Sequence, residues 1–368
     1  MKAFLRNDFI LVVILFLAWR VFLFLVEFLS VFVSVRTGYL GPFPWANFDG
    51  VHYLLIARYG YLPSLEAFFP LYPILVRVGS FLFSGDYLLS ATLISVLSSI
   101  FALFFFLKVT QRVFNRRKSF WSVIFLLSFP TAFYLNAVYT ESVFLFFVFG
   151  FFYFLLKNKH DNKNLLIASL FGALATATRV VGIFLLFSFV LETYKKKVPL
   201  WLKIFYSSII SIGLLSYMDF LWLKFKDPLL FVHQQSGFNA GRSGGAIILL
   251  PQVLYRYLRI FLTVSFSNYD FWIAFLELST FVLTLMVLIL LLKKNIPKSF
   301  LLFSFLCILF PTLSGTLSSV PRYSLVAFPI FMYFATVKNS FVRYTILSIG
   351  FLFEAILAAL FLRGYFVS

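Results

Sequence analysis

Charge is scarce in this chain. Only 12% of its 368 residues are Asp, Glu, Lys or Arg, about half the share found in soluble proteins, which excludes a fold whose whole surface meets water. Acids are scarcer still, 13 against 31 Lys and Arg, and the chain holds one cysteine and three histidines. The single Cys307 excludes an intrachain disulfide framework and a Cys-based metal site. His52, His160 and His233 stand far apart and no Asp-x-Asp pair is present, so no cofactor is called for and metal-independent chemistry is expected.

What remains is apolar. Hydrophobic residues make up 62% of the chain and aromatics 22%, with 55 Phe. They fall in runs of about 15 to 25 residues, the length that spans about 30 Å of hydrocarbon as helix. The expected fold class is an all-α polytopic membrane protein, a single integral domain over 1–368. The net charge of +18 would raise nucleic acid as a partner in a soluble protein. Here the cations sit in short connectors, Lys108 to Lys118, Lys157 to Lys163, Lys195 to Lys203 and Lys293 to Lys298, the pattern of cytoplasmic loops. No basic face interleaved with aromatics accompanies them, which argues against nucleic acid.

The first apolar stretch, about Phe9 to Val35, follows Lys2 and Arg6 and is too long for a signal-peptide core, so a retained helix with a cytoplasmic N-terminus is expected. Residues 36–86 form a first external loop, broken by Gly38, Gly41, Pro42, Pro44, Gly50, Gly60 and Pro63. Its segment 67–83 is interrupted by Pro70, Pro73 and Arg77 and is expected to lie along the interface. Crossings follow near 87–107, 120–136, 142–156, 165–177, 183–193, 201–223, 270–292, 299–313, 324–337 and 344–362, about eleven with the first. That parity places Ser368 outside. Residues 224–269 form a second, larger external loop, and Asp219 is expected buried or lining a cavity. The crossings 165–177 and 183–193 are short, and a break at Thr178 and Arg179 would set Arg179 in a cavity, where irregular backbone at depth is tolerated.

The most informative stretch is Asn47-Phe48-Asp49-Gly50-Val51-His52-Tyr53-Leu54-Leu55-Ile56-Ala57-Arg58-Tyr59-Gly60-Tyr61, with Glu66-Ala67-Phe68-Phe69-Pro70-Leu71-Tyr72-Pro73 close behind. An acid on a Gly-containing turn directly after the first membrane helix is near enough to the headgroups to meet a lipid-borne substrate. Its ordinary role is the N-cap of a helix beginning at about Gly50. His52, three residues on, shares a helix face with Asp49 and reads either as a substrate contact or as an interfacial hydrogen-bonding group. Glu141 suits either a helix start, where an acid complements the dipole, or a substrate contact. Arg179 and Arg322 read either as interfacial anchors or as functional cations.

The stretch from Phe48 to Tyr61, followed by Ala67-Phe68-Phe69-Pro70-Leu71-Tyr72-Pro73, resembles the opening signature of the PIG-V type mannosyltransferases, the family of GPI mannosyltransferase 2, within the GT-C glycosyltransferases. Ala137-Val138-Tyr139-Thr140-Glu141-Ser142, Ala175-Thr176-Ala177-Thr178-Arg179, Lys226-Asp227-Pro228-Leu229 with Phe231-Val232, and Pro321-Arg322-Tyr323 are similar to that family in the same order. The family more often has Trp where Phe48 stands.

The resemblance implies a GT-C bundle with its active site on the extracytoplasmic face. It also implies a polyprenyl- or dolichyl-phosphate mannose donor and Asp49 as catalytic base. A sugar leaving from a phosphate ester needs no protonated acid to depart, so one carboxylate to take the acceptor proton suffices. The developing phosphate charge calls for cations, and Arg179 and Arg322 are the candidates. His52, Glu141, Tyr61 and Glu66 are the substrate-binding candidates, and a lipid-linked or glycan acceptor, as in GPI-anchor biosynthesis, is the other partner besides membrane lipid. The membrane would be the plasma membrane of a prokaryote or the endoplasmic reticulum of a eukaryote.

Two other classes share this composition. A lipid-linked sugar flippase or transporter would place its ionisable groups near mid-bilayer and show paired halves, whereas here the candidates gather at one surface. A polyprenyl-linked glycan ligase would use a large external loop rich in Arg and His, for which Gln234 to Gly245 is short.

Overall fold

The computed structural model describes residues 7–36, 43–157, 161–238 and 241–367. Lys2, Arg6, Gly38, Gly41, Pro42, Lys159, His160 and Ser368, which figure in the sequence reading, lie outside the described residues. Every regular element among the described residues is helical. In chain order these are α1 (Asp8–Leu29), α2 (Asp49–Tyr59), α3 (Leu71–Ser80), α4 (Tyr87–Thr110), α5 (Arg116–Leu127), α6 (Glu141–Leu155), α7 (Asn162–Thr178), α8 (Leu185–Lys195), α9 (Leu200–Phe225), α10 (Leu230–His233), α11 (Leu250–Thr263), α12 (Tyr269–Leu291), α13 (Lys298–Thr312), α14 (Val320–Tyr323), α15 (Pro329–Phe334) and α16 (Ser340–Leu362).

Among the described residues, the helices at α1, α4, α9, α12 and α16 are long and apolar enough to cross a bilayer. The protein is therefore an integral membrane protein. α1 and α16 are tied at depth by Trp19, whose Nε1 donates to Glu354 Oε1 at 3.0 Å. α7 and α9 approach through small residues, as membrane helices do when their backbones must come close. A Cβ added at Gly213 would lie 2.1 Å from the carbonyl oxygen of Ala173, and Thr176 Oγ1 donates across to Ile210 O at 2.9 Å. Phenylalanine fills the interior. Phe106 stacks on Phe149 at 4.8 Å between centroids, and Phe328 stands edge-on to Phe149 and Phe300.

The two ends of the bundle differ in chemistry. At one end Asp8, at the start of α1, binds Lys108 and Arg116 at 2.5 and 3.0 Å. There too Lys196 reaches the carbonyl of Leu155, and Ser188 that of Ser299. The basic connectors therefore share one end. The opposite end gathers the start of α2, the start of α6, the end of α7 and α14, through contacts described below.

Asp219 and segment 324–337 differ from their sequence reading, and the two external-loop segments of that reading hold helices of their own. Asp219 is exposed, because α9 packs through the face of Ile210, Tyr217 and Leu221 and position 219 points the other way. Segment 67–83 contains α3, whose ten residues rise only about 15 Å, half a bilayer. It packs antiparallel on the first turns of α4, with Tyr72 Oη 2.9 Å from Ser95 Oγ and Ser90 Oγ donating to Val76 O. Segment 324–337 holds only a short 3-10 turn and α15, both buried within the protein, where broken helix is tolerated. The loop 224–269 contains α11, which buries Val253 and Tyr257 and leaves Leu254, Leu258 and Leu262 exposed. Pro251, Arg256 and Arg259 dilute its hydropathy, and its four-residue spacing of buried positions is the signal that marks it.

Candidate active site

Asp49 is the first residue of α2, and the turn that presents it is strained. Phe48 has φ 55°, a region costly for a bulky residue. Its ring is held by Phe361 and Phe366, at 5.9 and 5.5 Å. Asn47 anchors the turn on both sides, its amide donating to Phe361 O at 2.9 Å while Tyr139 Oη donates to Asn47 O. The capping role does not hold. No side chain caps α2, and the Asp49 carboxylate instead accepts from Arg322 Nη1 at 2.7 Å through Oδ2.

Arg322 is itself buried, at 6% exposure, and its Nε lies 3.3 Å from Glu141 Oε1. The same Glu141 oxygen takes Arg179 Nη1 at 2.6 Å. Asp49, Arg322, Glu141 and Arg179 thus form a chain of alternating charge drawn from α2, α14, the start of α6 and the end of α7. Each pairing offsets a desolvation cost that an isolated buried charge could not bear. Arg179 reaches this position because α7 stops at Thr178: its backbone is extended, with φ −154° and ψ 142°, and a 3-10 turn over Val180–Phe184 leads into α8. The break expected there is present. Tyr323 lies beneath both guanidiniums, 4.8 Å from Arg179 and 5.6 Å from Arg322.

These groups border a cavity of about 750 Å³ lined by Asp49, His52, Arg179, Arg242, Glu277, Arg322 and Tyr323, among others. Burial alone would raise the Asp49 pKa, but the Arg322 charge and hydrogen bond outweigh it and hold the carboxyl below its usual range. His52 moves down, since burial disfavours its charged form more than Asp49 favours it. Its ring leans on Phe68 and Phe238, and among the described residues its Nδ1 is buried without a hydrogen-bond partner. Burial raises the Tyr323 phenol, but Arg242, Arg322 and Arg179 together bring it down to about 8.

The structure brings Asp49, His52, Arg179 and Arg322 to one cavity, with Glu141 directly behind. It does not bring Tyr61 or Glu66 there. Tyr61 donates to Phe68 O and stacks on Tyr217 beside a separate apolar groove. Glu66 is buried, at 2% exposure, and its carbonyl accepts from Tyr217. Sequence reasoning missed Arg242, Tyr257 and Glu277, which also line the cavity, and Tyr257 donates to Glu277. The Gly-Arg-Ser-Gly-Gly run at 241–245 was the available sign for Arg242, since a cation on a Gly-rich loop can approach a ligand closely. Among the described residues no group of three or more His, Cys, Asp or Glu could hold a metal ion.

Residues 67–220 match the family model of dolichyl-phosphate-mannose-protein mannosyltransferase. That is less than half of the chain, and it includes Glu141 and Arg179 but neither Asp49 nor Arg322. No curated protein matches the chain. Among solved structures, ArnT from Cupriavidus metallidurans bound to undecaprenyl phosphate is similar at 15% identity and a TM-score of 0.57, over 92% of this chain and 62% of ArnT. The apo ArnT structure is similar at 16% identity and a TM-score of 0.54, with the same coverage. The archaeal oligosaccharyltransferase AglB from Archaeoglobus fulgidus is more distant, at 12% identity and a TM-score of 0.44, over 94% of this chain and 56% of AglB. The chain thus spans less than two thirds of the length of these proteins. At such identities the likeness to ArnT shows the fold alone, an all-helical membrane bundle.

Proposed function

We propose that this protein is a membrane glycosyltransferase that moves a hexose, mannose by its sequence resemblance, from a polyprenyl- or dolichyl-phosphate donor to a hydroxyl of a lipid-linked or glycan acceptor. The observation that carries the reading is the Asp49 carboxylate, held ionised by Arg322 at the wall of a large cavity lined by arginines. The partial match to a mannosyltransferase family model and the fold shared with ArnT, whose structure holds undecaprenyl phosphate, support the substrate class. The grouping of the basic connectors at the far end of the bundle favours an extracytoplasmic site.

In the proposed reaction Asp49 takes the proton of the acceptor hydroxyl. The hydroxyl oxygen attacks the anomeric carbon from the face opposite the phosphate, the bond from that carbon to the phosphate oxygen breaks, and its electron pair leaves with the phosphate. One carboxylate is enough, and inversion follows. Oδ2 of Asp49 is occupied by Arg322, so Oδ1 is the oxygen that receives the proton. Arg322 and Arg179 fix the carboxylates and lend positive potential to the donor side. His52, neutral against the cavity wall, is a substrate contact, and no metal takes part.

The test is a donor screen with the purified full chain, reading both sugar transferred and polyprenyl phosphate released. Transfer from a polyprenyl-phosphate hexose to an added glycolipid is expected. Movement of lipid-linked sugar across a reconstituted bilayer without transfer would replace the enzyme with a flippase.

A further inference from the structure

The site's arginines are not equivalent. Arg179 and Arg322 are committed to carboxylates, Arg179 to Glu141 and Arg322 to both Glu141 and Asp49. Their positive charge is largely balanced before any ligand arrives. Arg242, half-buried on the loop before α11, is different. Among the described residues it donates only to uncharged acceptors: Gln235 Oε1 at 2.7 Å, Ser319 Oγ at 3.1 Å, and Ser318 O and Tyr323 Oη at 3.4 Å. Glu277, an acid of the same cavity, is bound instead to Tyr257. Arg242 is therefore oriented by four neutral partners, and among the described residues no carboxylate hydrogen-bonds or ion-pairs with it directly, although Asp49 and Glu277 feel its charge across the cavity.

Reaction geometry separates the arginines further. Displacement with inversion puts the base and the departing phosphate on opposite faces of the anomeric carbon. A phosphate bonded to Arg322 would share one guanidinium with the base and set two like charges side by side. Arg242 lies one step beyond, because Ser319 Oγ accepts from Arg242 at 3.1 Å and from Arg322 at 3.4 Å. The order along the wall is Asp49, Arg322, Ser319, Arg242, which leaves room for a sugar ring between base and phosphate.

Resting on the glycosyltransferase reading, the geometry points to Arg242 as the residue that directly binds the donor's phosphate and takes up its charge as the bond to the anomeric carbon breaks. Arg179 and Arg322 act as positioning residues for Glu141 and Asp49. Gln235, through its 2.7 Å bond, sets the Arg242 fork, and Tyr323 supports it from below.

The test compares binding of undecaprenyl phosphate with binding of undecaprenol, which has the same chain and no phosphate, by thermal-shift titration of the purified full chain. Wild type is expected to prefer the phosphate. Arg242→Gln should lower affinity for the phosphate by about tenfold to a hundredfold, the size of a charge-assisted contact, and leave the alcohol unchanged; Arg242→Lys should fall between. Gln235→Glu keeps Arg242 but places a carboxylate on it, and should produce the same selective loss. Should Arg242→Gln fail to fold, Gln235→Glu decides alone. Preference for the phosphate retained by these variants would overturn the role of Arg242 while leaving the glycosyltransferase reading intact. A wild-type protein with neither that preference nor sugar transfer would overturn both.

Discussion

Asp49 and Arg322 stand 273 positions apart in the chain and meet at 2.7 Å, so the first loop after α1 and the short helix α14 are joined through one ion pair at the candidate site. That pair holds the carboxylate in its ionised form and keeps one of its oxygens engaged. It also makes the role of each partner separable by substitution.

Asp49→Asn preserves shape and the acceptor oxygen for Arg322 but removes basicity. The variant should extract like the parent and give up part of the stability that the ion pair contributes, while losing about a hundredfold or more in transfer rate. The comparison is made on purified protein well below the unfolding midpoint of both, and unimpaired transfer would remove Asp49 as the base.

The charge chain sets a hierarchy of stability. Arg322→Ala strips the partner from Asp49 and one of two from Glu141, and removal of one member of a buried pair costs about 3–5 kcal/mol. Arg179→Ala leaves Glu141 still bound to Arg322 and should cost less. Unfolding midpoints in detergent should therefore fall in the order wild type, Arg179→Ala, Arg322→Ala. The reverse order would mean that Glu141 depends on Arg179 instead.

The pH profile follows from two shifts of known sign. Asp49 is depressed by Arg322, so its ionised form, and the stability that the pair contributes, persist above the unfolded value near 3.8 and are lost only as pH falls through the lower folded value. No acidic limb is expected between pH 5 and 7. Tyr323, brought to about 8 by its three arginines, becomes an anion above that pH and cancels part of the positive field that the donor meets. Donor affinity should decline above pH 8 in wild type and stay level in Tyr323→Phe, read as the KM for the donor across pH 6 to 9.

Much of this site was legible in the sequence, and for a physical reason. Asp49, Glu141, Arg179 and Arg322 are charges next to apolar runs, so each stands out where charge is scarce, and the positive connectors fixed which loop ends share a face. What could not be read was pairing. Nothing in the chain indicates that Glu141 serves two arginines or that Asp49 spends its carboxylate on Arg322 instead of capping α2. Arg242, Tyr257 and Glu277 escaped for a related cause, since they depend on how the second loop folds back, and α11 within it is too polar to register as an apolar run. Tyr61 and Glu66 were drawn in by adjacency to the motif, but the chain turns away after α2 and buries them against Tyr217.

Helix packing also controls the site. A methyl group at Gly213 would press into the Ala173 carbonyl at 2.1 Å, forcing α9 away from the helix whose end carries Arg179. Gly213→Val should lower the unfolding midpoint and transfer together, with overpacking of this kind costing about 1–3 kcal/mol. Gly237→Val, at a position where an added Cβ meets nothing within 4 Å, is the matched control and should leave the midpoint unchanged.

The orientation of the bundle gives the last prediction, and the lone cysteine makes it clean to test. Cys307 is 1% exposed and should not react with a membrane-impermeant maleimide, so single cysteines can be introduced without removing it. Lys294 lies in the connector between α12 and α13, at the end where basic residues gather, and Ser243 lies on the loop beside the cavity. If the cavity faces away from the cytoplasm, Ser243→Cys is labelled in intact cells or sealed right-side-out vesicles, whereas Lys294→Cys is labelled only after permeabilisation. Lys294 is exposed and Ser243 half-buried, so labelling of both in permeabilised membranes is the check that failure to label in sealed ones reports sidedness and not burial. The opposite pattern would place the cavity in the cytoplasm, where nucleotide-activated sugars are available, and would remove the main reason for a lipid-phosphate donor.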